Sequence, residues 1–346
     1  MRVVEQRFRH GRSGPSLRPF VVSAQVQSQG YSQPLQRAIT DFGADVPFAR
    51  VPLKLKEHYG IEVPPSTARQ ITQKHGEAGL KSQSLQTQIP NRPGVPWMVA
   101  QLDGCMIPIV TTAEPGAEVD LDRRKTRNLQ WREARLALAH PLGSVTPVFA
   151  ATLGSVEQAG QHWAHCVVRA GAGTQTRIHC LGDGASWIVE QMEERFGTQA
   201  RYLIDFSHLS QYLSAAADRC APTDKAAWLE QQQKRLKENR SEAVLDALAP
   251  FWEREKTAQG ETPVQACYRY IDNRPDQFDY QAALAAGLPI GSGEVESGHR
   301  YVIQDRLKIA GAWWKQANAE KMLALRTLRA NNDWEAYWQN RHSKAA

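Results

Sequence analysis

The sequence predicts an α/β domain preceded by a small all-helical module. Three observations predict it. After Trp97, apolar runs alternate with amphipathic stretches in the order strand, strand, strand, helix, strand, helix, strand. Before residue 80, apolar residues recur only at helical spacing. Between the two lies a polar stretch, 81–96, with three prolines and no periodicity. A chain of 346 residues has room for two or three such bodies, at roughly 100–200 residues each.

Residues 1–34 are polar and rich in Arg, Ser and Gln, a basic arm expected to lack fixed structure. Leu35, Ala38, Ile39 and Phe42 open a helix. Pro47 fits the start of a second helix, carrying Phe48, Val51 and Leu55, although Pro52 moves that start later. Gly60 ends it. Pro64, Pro65 and Ser66 then start a third helix, expected to stop at Gly76. Residues 35–80 have the size of a helix-turn-helix module. Ala68, Ile71, Thr72 and His75 face inward. Arg69, Gln70, Gln73 and Lys74 face outward and suit the base edges and phosphates of DNA. The plainer alternative is a helical hairpin. Residues 81–96 read as the linker to a domain spanning 97–346.

In that domain 98–110 is an apolar strand with one acid, Asp103. Residues 135–139 and 145–153 are two more strands, so the domain opens as a meander and continues with crossovers. The charged loop 120–128 carries Arg123, Arg124, Lys125 and Arg127, either phosphate contacts or a solvated loop. Ser155 starts a helix, 177–181 is a strand ending at Asp183, and 201–204 is a strand ending at Asp205. From about 206 to 286 the pattern is helical with no strand, an insertion. A glycine-rich break at 287–293 follows. Ser292 is placed to cap a helix running through Glu296, Arg300, Ile303 and Leu307.

Composition narrows the classes. The chain is 42% hydrophobic and 23% charged, ordinary for a globular protein. No apolar run reaches the roughly 18–20 residues of a membrane span, and the N-terminus lacks a signal-peptide core. The five cysteines stand no closer than 14 residues apart, which excludes CxxC zinc sites and argues against a disulfide framework. A reducing cytoplasm is the expected compartment. The net charge is +6, and residues 1–100 hold 13 Lys and Arg against 6 Asp and Glu. The basic end points to a polyanion-binding module.

Three acids stand out. Asp103 is the one charge in an apolar strand, Asp183 ends another between two glycines, and Glu296 follows the glycine-rich break. A buried acid is costly unless paired or bound to a cation, and oxygen ligands from separate elements suit a hard cation. Two Mg²⁺ ions held by such a set can serve both the attacking and the leaving oxygen of a phosphoryl displacement. Taken singly, each has a plainer reading: a turn residue at Asp183, a helix-dipole partner at Glu294 or Glu296. Glu294 and Glu296 are two apart and cannot share one helix face.

The blocks Gln101-Leu-Asp103-Gly, Leu181-Gly-Asp183-Gly-Ala-Ser-Trp187, Leu203-Ile-Asp205-Phe-Ser-His208 and Leu288-Pro-Ile-Gly-Ser-Gly-Glu-Val-Glu296-Ser resemble bacterial insertion-sequence transposases. The branch they resemble is the ISKra family, related to the Mutator-like DDE transposases. The closing Arg306-Leu-Lys308, 322–329 and Trp334-Glu-Ala-Tyr-Trp338 match as well, so the resemblance covers about 35–340. It implies a ribonuclease-H-like catalytic core with a helical insertion before the last acid. It implies a triad of Asp103, Asp183 and Glu296, with Glu296 chosen over Glu294 by its place in the block. Two Mg²⁺ ions would be the cofactor, and Mn²⁺ is expected to substitute. Terminal inverted repeats and target DNA would be the partners, and a homo-oligomer the working state, nucleoid-associated and away from membranes. Asp205 and His208 resemble that family's Asp/Cys-x-x-His signature, in a supporting role, though a helix-start Asp with a satisfied His is the plainer reading. Arg300, one turn after Glu296, would pair with it or with a phosphate, and His299 is a further candidate. Trp313 and Trp314 read first as core packing, with stacking on unstacked bases as the alternative. A nuclease or resolvase of the same fold, or a catalytically silent DNA-binding regulator, are the rival readings.

Overall fold

The computed structural model describes residues 6–11, 16–23, 26–27, 30–112, 126–252 and 260–343. Near the N-terminus, Phe8–Arg9 pairs with Ser16–Leu17 and Val26–Gln27 with Tyr31–Ser32. Three helices follow: α1 (Gln33–Asp45), α2 (Val51–Tyr59) and α3 (Pro65–Ser82). Strands β1 (Trp97–Thr111), β2 (Asn128–Pro141) and β3 (Val148–Thr152) come next. Helix α4 (Val156–Arg169), strand β4 (Arg177–Gly182), helix α5 (Ser186–Phe196) and strand β5 (Ala200–Ile204) continue the chain. The helices α6 (Phe206–Cys220), α7 (Lys225–Lys237), α8 (Ser241–Leu248), α9 (Pro263–Asp272) and α10 (Tyr280–Ala285) occupy the stretch expected as an insertion. The chain ends with α11 (Gly293–Gly298), α12 (Gln316–Ala330) and α13 (Trp334–Ser343).

These elements form two compact units, each discontinuous in sequence. The first takes Met1–Ser84, Met106–Arg132 and Arg300–Ala346; the second takes Leu85–Cys105 and Glu133–His299.

In the first unit α2 starts at Val51, with Pro52 in its first turn, where a missing N–H costs nothing. Gly60 closes it at φ +66°. Ile39, Val51, Leu55, Val63, Ala68 and Ile71 form the core of α1–α3. Helix α3 does not stop at Gly76 but runs six residues further. Gly76 is there for closeness: a Cβ on it would lie 2.6 Å from the Lys321 carbonyl oxygen of α12. The glycine lets two helix backbones meet, and that tertiary gain outweighs its poor helix propensity. Helix α1 has no basic residue in its own last turn. Distant arginines supply the charge. Arg306 Nε donates to Gly43 O at 3.0 Å, and Arg329 Nη1 donates to Asp41 O at 3.1 Å. Arg326 Nη1 donates to the Asp45 carboxylate at 2.5 Å. Orphan carbonyls and the negative end of the helix dipole are thereby answered by cations.

The sheet of five strands is mixed, in the order β3-β2-β1-β4-β5. β2 and β3 are antiparallel, while β4 runs parallel to both β1 and β5. In the second unit's part of β1, Met98, Val99, Ala100 and Leu102 are all fully buried, as expected for a central strand covered on both faces. Ser155 and Gln158 close a reciprocal capping box at the start of α4. Trp163 of α4 is buried edge-on against Phe196 at 5.2 Å. The expected cap at Ser292 is not made, because its side chain has another partner. The following helix is also not one regular piece: past α11 the turns of His299–Gln304 widen to a π-helix before Asp305–Leu307. Among the described residues no helix is long and apolar enough to cross a membrane.

His75 of α3 gives a pH test of the first unit. Its ring lies 3.0 Å from both the Tyr337 hydroxyl and Gln36 Oε1. On the neutral ring Nε2–H donates to Gln36, while the Tyr337 hydroxyl donates to the His75 carbonyl at 3.1 Å. Burial, with the fields of Arg341 and Lys74, pushes its pKa down to about 3. An unfolded histidine takes its proton near pH 6.5. The stability due to neutral His75 is therefore complete above about pH 6.5 and is lost as pH falls toward 3. We expect the thermal midpoint to fall less between pH 7.5 and 5 in His75→Gln than in the wild type. Equal falls would show that His75 is not the group responsible.

Candidate active site

Asp103 stands in β1 and Asp183 directly follows β4, and the register relates them. Gln101 pairs with Leu181 across the parallel ladder. Asp103 follows that last pair by two residues on β1, and Asp183 follows it by two residues in the turn after β4. Asp103 Oδ1 accepts from the Gly104 amide at 2.7 Å, and Asp183 Oδ1 accepts from the Ala185 amide at 2.9 Å. Each carboxylate is thus oriented by its own backbone through one oxygen. The second oxygen of Asp183 has no partner among the described residues. That of Asp103 lies 3.2 Å from His299 Nε2, close enough for an ion pair but off the line of a hydrogen bond. Burial works against the charge on His299, yet Asp103 and Cys105 outweigh it and push its pKa up to about 9.

The turn after β4 is held from the helical insertion. Gly184 adopts φ +80°, which a residue with a Cβ rarely takes. Its amide donates to the Tyr202 hydroxyl at 2.9 Å, and its carbonyl accepts from Arg274 Nε at 2.9 Å. The Tyr270 hydroxyl of α9 donates to the Asp183 carbonyl at 2.5 Å. The Arg274 guanidinium lies over the Tyr270 ring at 4.3 Å. The insertion therefore fixes the backbone that carries Asp183.

Helix α11 is fixed on the sheet by two buried polar side chains. Gln101, fully buried in β1, accepts from the Val295 amide at 3.0 Å and donates to Glu294 Oε2 at 3.1 Å. His140 of β2 meets the same Glu294 oxygen at 2.7 Å through Nε2, while its Nδ1 faces the Pro141 carbonyl at 2.9 Å. Both ring nitrogens face acceptors, so the imidazolium fits best. Burial opposes that charge, but Glu294 and the carbonyl prevail and the pKa is raised. Asp205, 2% exposed, caps α6 through the Ser207 amide and accepts from both the amide and the hydroxyl of Ser292. Burial raises its pKa, and these bonds more than offset that, so the carboxyl stays below its ordinary range.

The predicted site residues are distributed as follows. Asp103 lies on β1 and Asp183 in the turn after β4, each two residues past the last β1–β4 pair. The Glu296 side chain is exposed with no hydrogen-bond or ion-pair partner among the described residues, whereas Glu294 is the acid tied to β1 and β2. Asp205 and His208 do not pair with each other. His208 packs its ring against Tyr212 and Tyr270, at 5.5 and 5.9 Å. Arg300 is exposed and belongs to the first unit. In that unit Arg69, Gln70 and Lys74 are exposed on α3 and Gln73 is half-buried, while Ala68, Ile71, Thr72 and His75 are buried. Arg127 lies over the Trp313 ring at 5.5 Å. Arg123, Arg124 and Lys125 lie outside the described residues. Gln101 and His140, which the sequence reading passed over, carried a signal: each is a polar residue in or beside an apolar run. Tyr270 and Arg274 carried none.

The carboxylates offer only hard oxygen donors, the chemistry that Mg²⁺ takes. Asp183 keeps one carboxylate oxygen without a partner among the described residues, whereas the second oxygen of Asp103 faces His299. Among the described residues no three His, Cys, Asp or Glu side chains form a metal-holding group, so Glu296 is not gathered with the two aspartates.

Asp205→Ala removes the α6 cap and strands the two Ser292 donors. It should cost about 2–4 kcal/mol of stability in urea unfolding, and Asp205→Asn, which keeps an acceptor, less. An unchanged midpoint in Asp205→Ala would contradict this role.

Residues 167–341 match the uncharacterised protein family UPF0236. That segment contains Asp183, Asp205, His208 and Glu296 and begins after Asp103. A relative in Streptococcus gallolyticus, the UPF0236 protein in vanSb 3'region, is 26% identical over 169 residues, 48% of this chain and 36% of its own length. The chain thus covers about a third of that relative.

Proposed function

The chain belongs to UPF0236, and we propose that it is a DDE transposase of a bacterial insertion sequence. In this reading the second unit's sheet is a ribonuclease-H-like core. The observation that carries it is the parallel pairing of β1 with β4, whose last pair, Gln101 with Leu181, comes two residues before Asp103 on one strand and two before Asp183 after the other. The strand order, with antiparallel β2–β3 on one side and parallel β4–β5 on the other, supports the same reading. So does the order of the chain, in which helices α6–α10 precede the last acid.

Asp103 and Asp183 would hold divalent cations, and Glu296, which stands apart from them in this structure, would have to join them as the third carboxylate. Bound Mg²⁺ would supply charge neutralisation at the phosphate and activate the attacking oxygen. The chain's own residues do the positioning. Gly104 and Ala185 amides orient the two carboxylates, and His299 sets a cationic ring beside Asp103. Gln101 and His140 hold the first turn of α11 through Glu294 and Val295. Helices α1–α3 would be the helix-turn-helix module, with Arg69, Gln70, Gln73 and Lys74 reading element ends. Joining two ends needs at least two copies of the chain.

The test is Mg²⁺- or Mn²⁺-dependent cleavage and strand transfer on DNA bearing the inverted repeats that flank the gene. Asp103→Asn, Asp183→Asn and Glu296→Gln should each abolish cleavage. Glu294→Gln should cost about tenfold, as a change to a residue supporting the site does. A dead Glu294→Gln beside an active Glu296→Gln would move the third acid to Glu294. Cleavage without joining would indicate a nuclease, and repeat binding without cleavage a silent regulator.

A further inference from the structure

The first unit contains a basic, aromatic pocket with no part in the acidic site. Its cavity of about 640 Å³ is bounded by α3, by Val110, Thr112 and Arg127, and by the turn before α12. Four of its lining residues are cationic, Arg69, Arg127, Arg306 and Lys315, and none is acidic.

The adjacent tryptophans play different parts. Trp314 is 5% exposed and packs with Phe48 at 6.3 Å, a core residue. Trp313 is 52% exposed, with the Arg127 guanidinium over its ring. Trp313 therefore presents an aromatic surface to the pocket that it lines.

Arg306 is the second, independent sign. It is 2% exposed and lies between the Phe48 and Trp314 rings, 4.7 and 4.8 Å from their centroids. Its Nε donates to Gly43 O, but Nη2 has no partner. The acid near it, Asp45, is engaged by Arg326 and Arg329. A buried guanidinium without a carboxylate of its own is costly, and an anion in the pocket would offset that cost.

Resting on the reading of the chain as a DNA-processing protein, we propose that this pocket holds an unstacked nucleotide of a single DNA strand. The base stacks on Trp313. The flanking phosphates lie among Arg69, Arg127 and Lys315, over the positive floor that Arg306 provides. The geometry suits a strand separated from its complement at an element end or target. It does not suit an intact duplex, whose bases offer no free face.

The test is fluorescence anisotropy of the full chain with a labelled thymidine octamer. The same octamer with abasic sites, a matched duplex and free thymidine monophosphate serve as comparisons. The wild type should bind the octamer at least about fivefold tighter than the abasic strand, the smallest effect expected of a stacked base. Trp313→Ala should lose that preference while keeping the weaker phosphate-driven binding, and Trp313→Phe should restore it. Arg127→Ala should weaken both strands alike. Equal binding of octamer and abasic strand, unchanged preference in Trp313→Ala, or monophosphate binding as tight as the octamer would each overturn the proposal. Cleavage of repeat-bearing duplex, measured in parallel, reports on the carboxylates instead. Strand binding without cleavage defeats the transposase reading alone, and cleavage without base preference defeats this one alone.

Discussion

The parallel pairing of β1 with β4 is the constraint on which the candidate site rests. A parallel ladder has one register that keeps both buried faces apolar, since a slip of one residue would turn every side chain over. With Gln101 opposite Leu181, each acid comes two residues after that pair, Asp103 on β1 and Asp183 past the end of β4. The crossover through α4, with its capping box and buried Trp163, makes that register available. What surrounds the acids can then be local: an amide for each carboxylate, and a glycine turn after β4.

Polar groups inside the second unit then fix what approaches the sheet. Gln101 is fully buried, and an unanswered amide there would cost about 1–3 kcal/mol. It is answered only when α11 presents the Val295 amide and Glu294. Asp205 imposes the same condition on Ser292, and Tyr270 on the Asp183 turn. Buried polar networks of this kind specify one arrangement when every member is satisfied. They explain how residues from 101 to 295 converge on one sheet edge even though helices α6–α10 interrupt the chain.

Much of this was legible in the sequence, and the exceptions have physical causes. Asp103 was visible as a charge in an apolar strand, and Asp183 as an acid between glycines where a strand ends. The inward and outward faces of α3 followed from helical spacing. Its length did not, because Gly76 is a stop signal locally and a contact point tertiarily, and only the approach of Lys321 distinguishes the two. Ser292 looked like a cap by local rules but serves Asp205, 87 residues away in sequence. The π-turn at His299 carries no local signature. The arginines of the C-terminal blocks, 306, 326 and 329, were visible as a pattern, but their service to the end of α1 depends on long-range packing.

In the proposed function Asp103 and Asp183 share one cation. Calorimetric titration of the full chain with Mn²⁺, free of DNA, tests it without relying on turnover. The wild type should show a saturable site that is lost in Asp103→Asn and equally in Asp183→Asn, with both variants still folded by circular dichroism. Mn²⁺ binding that survives either substitution, or a wild type that binds none, would contradict it.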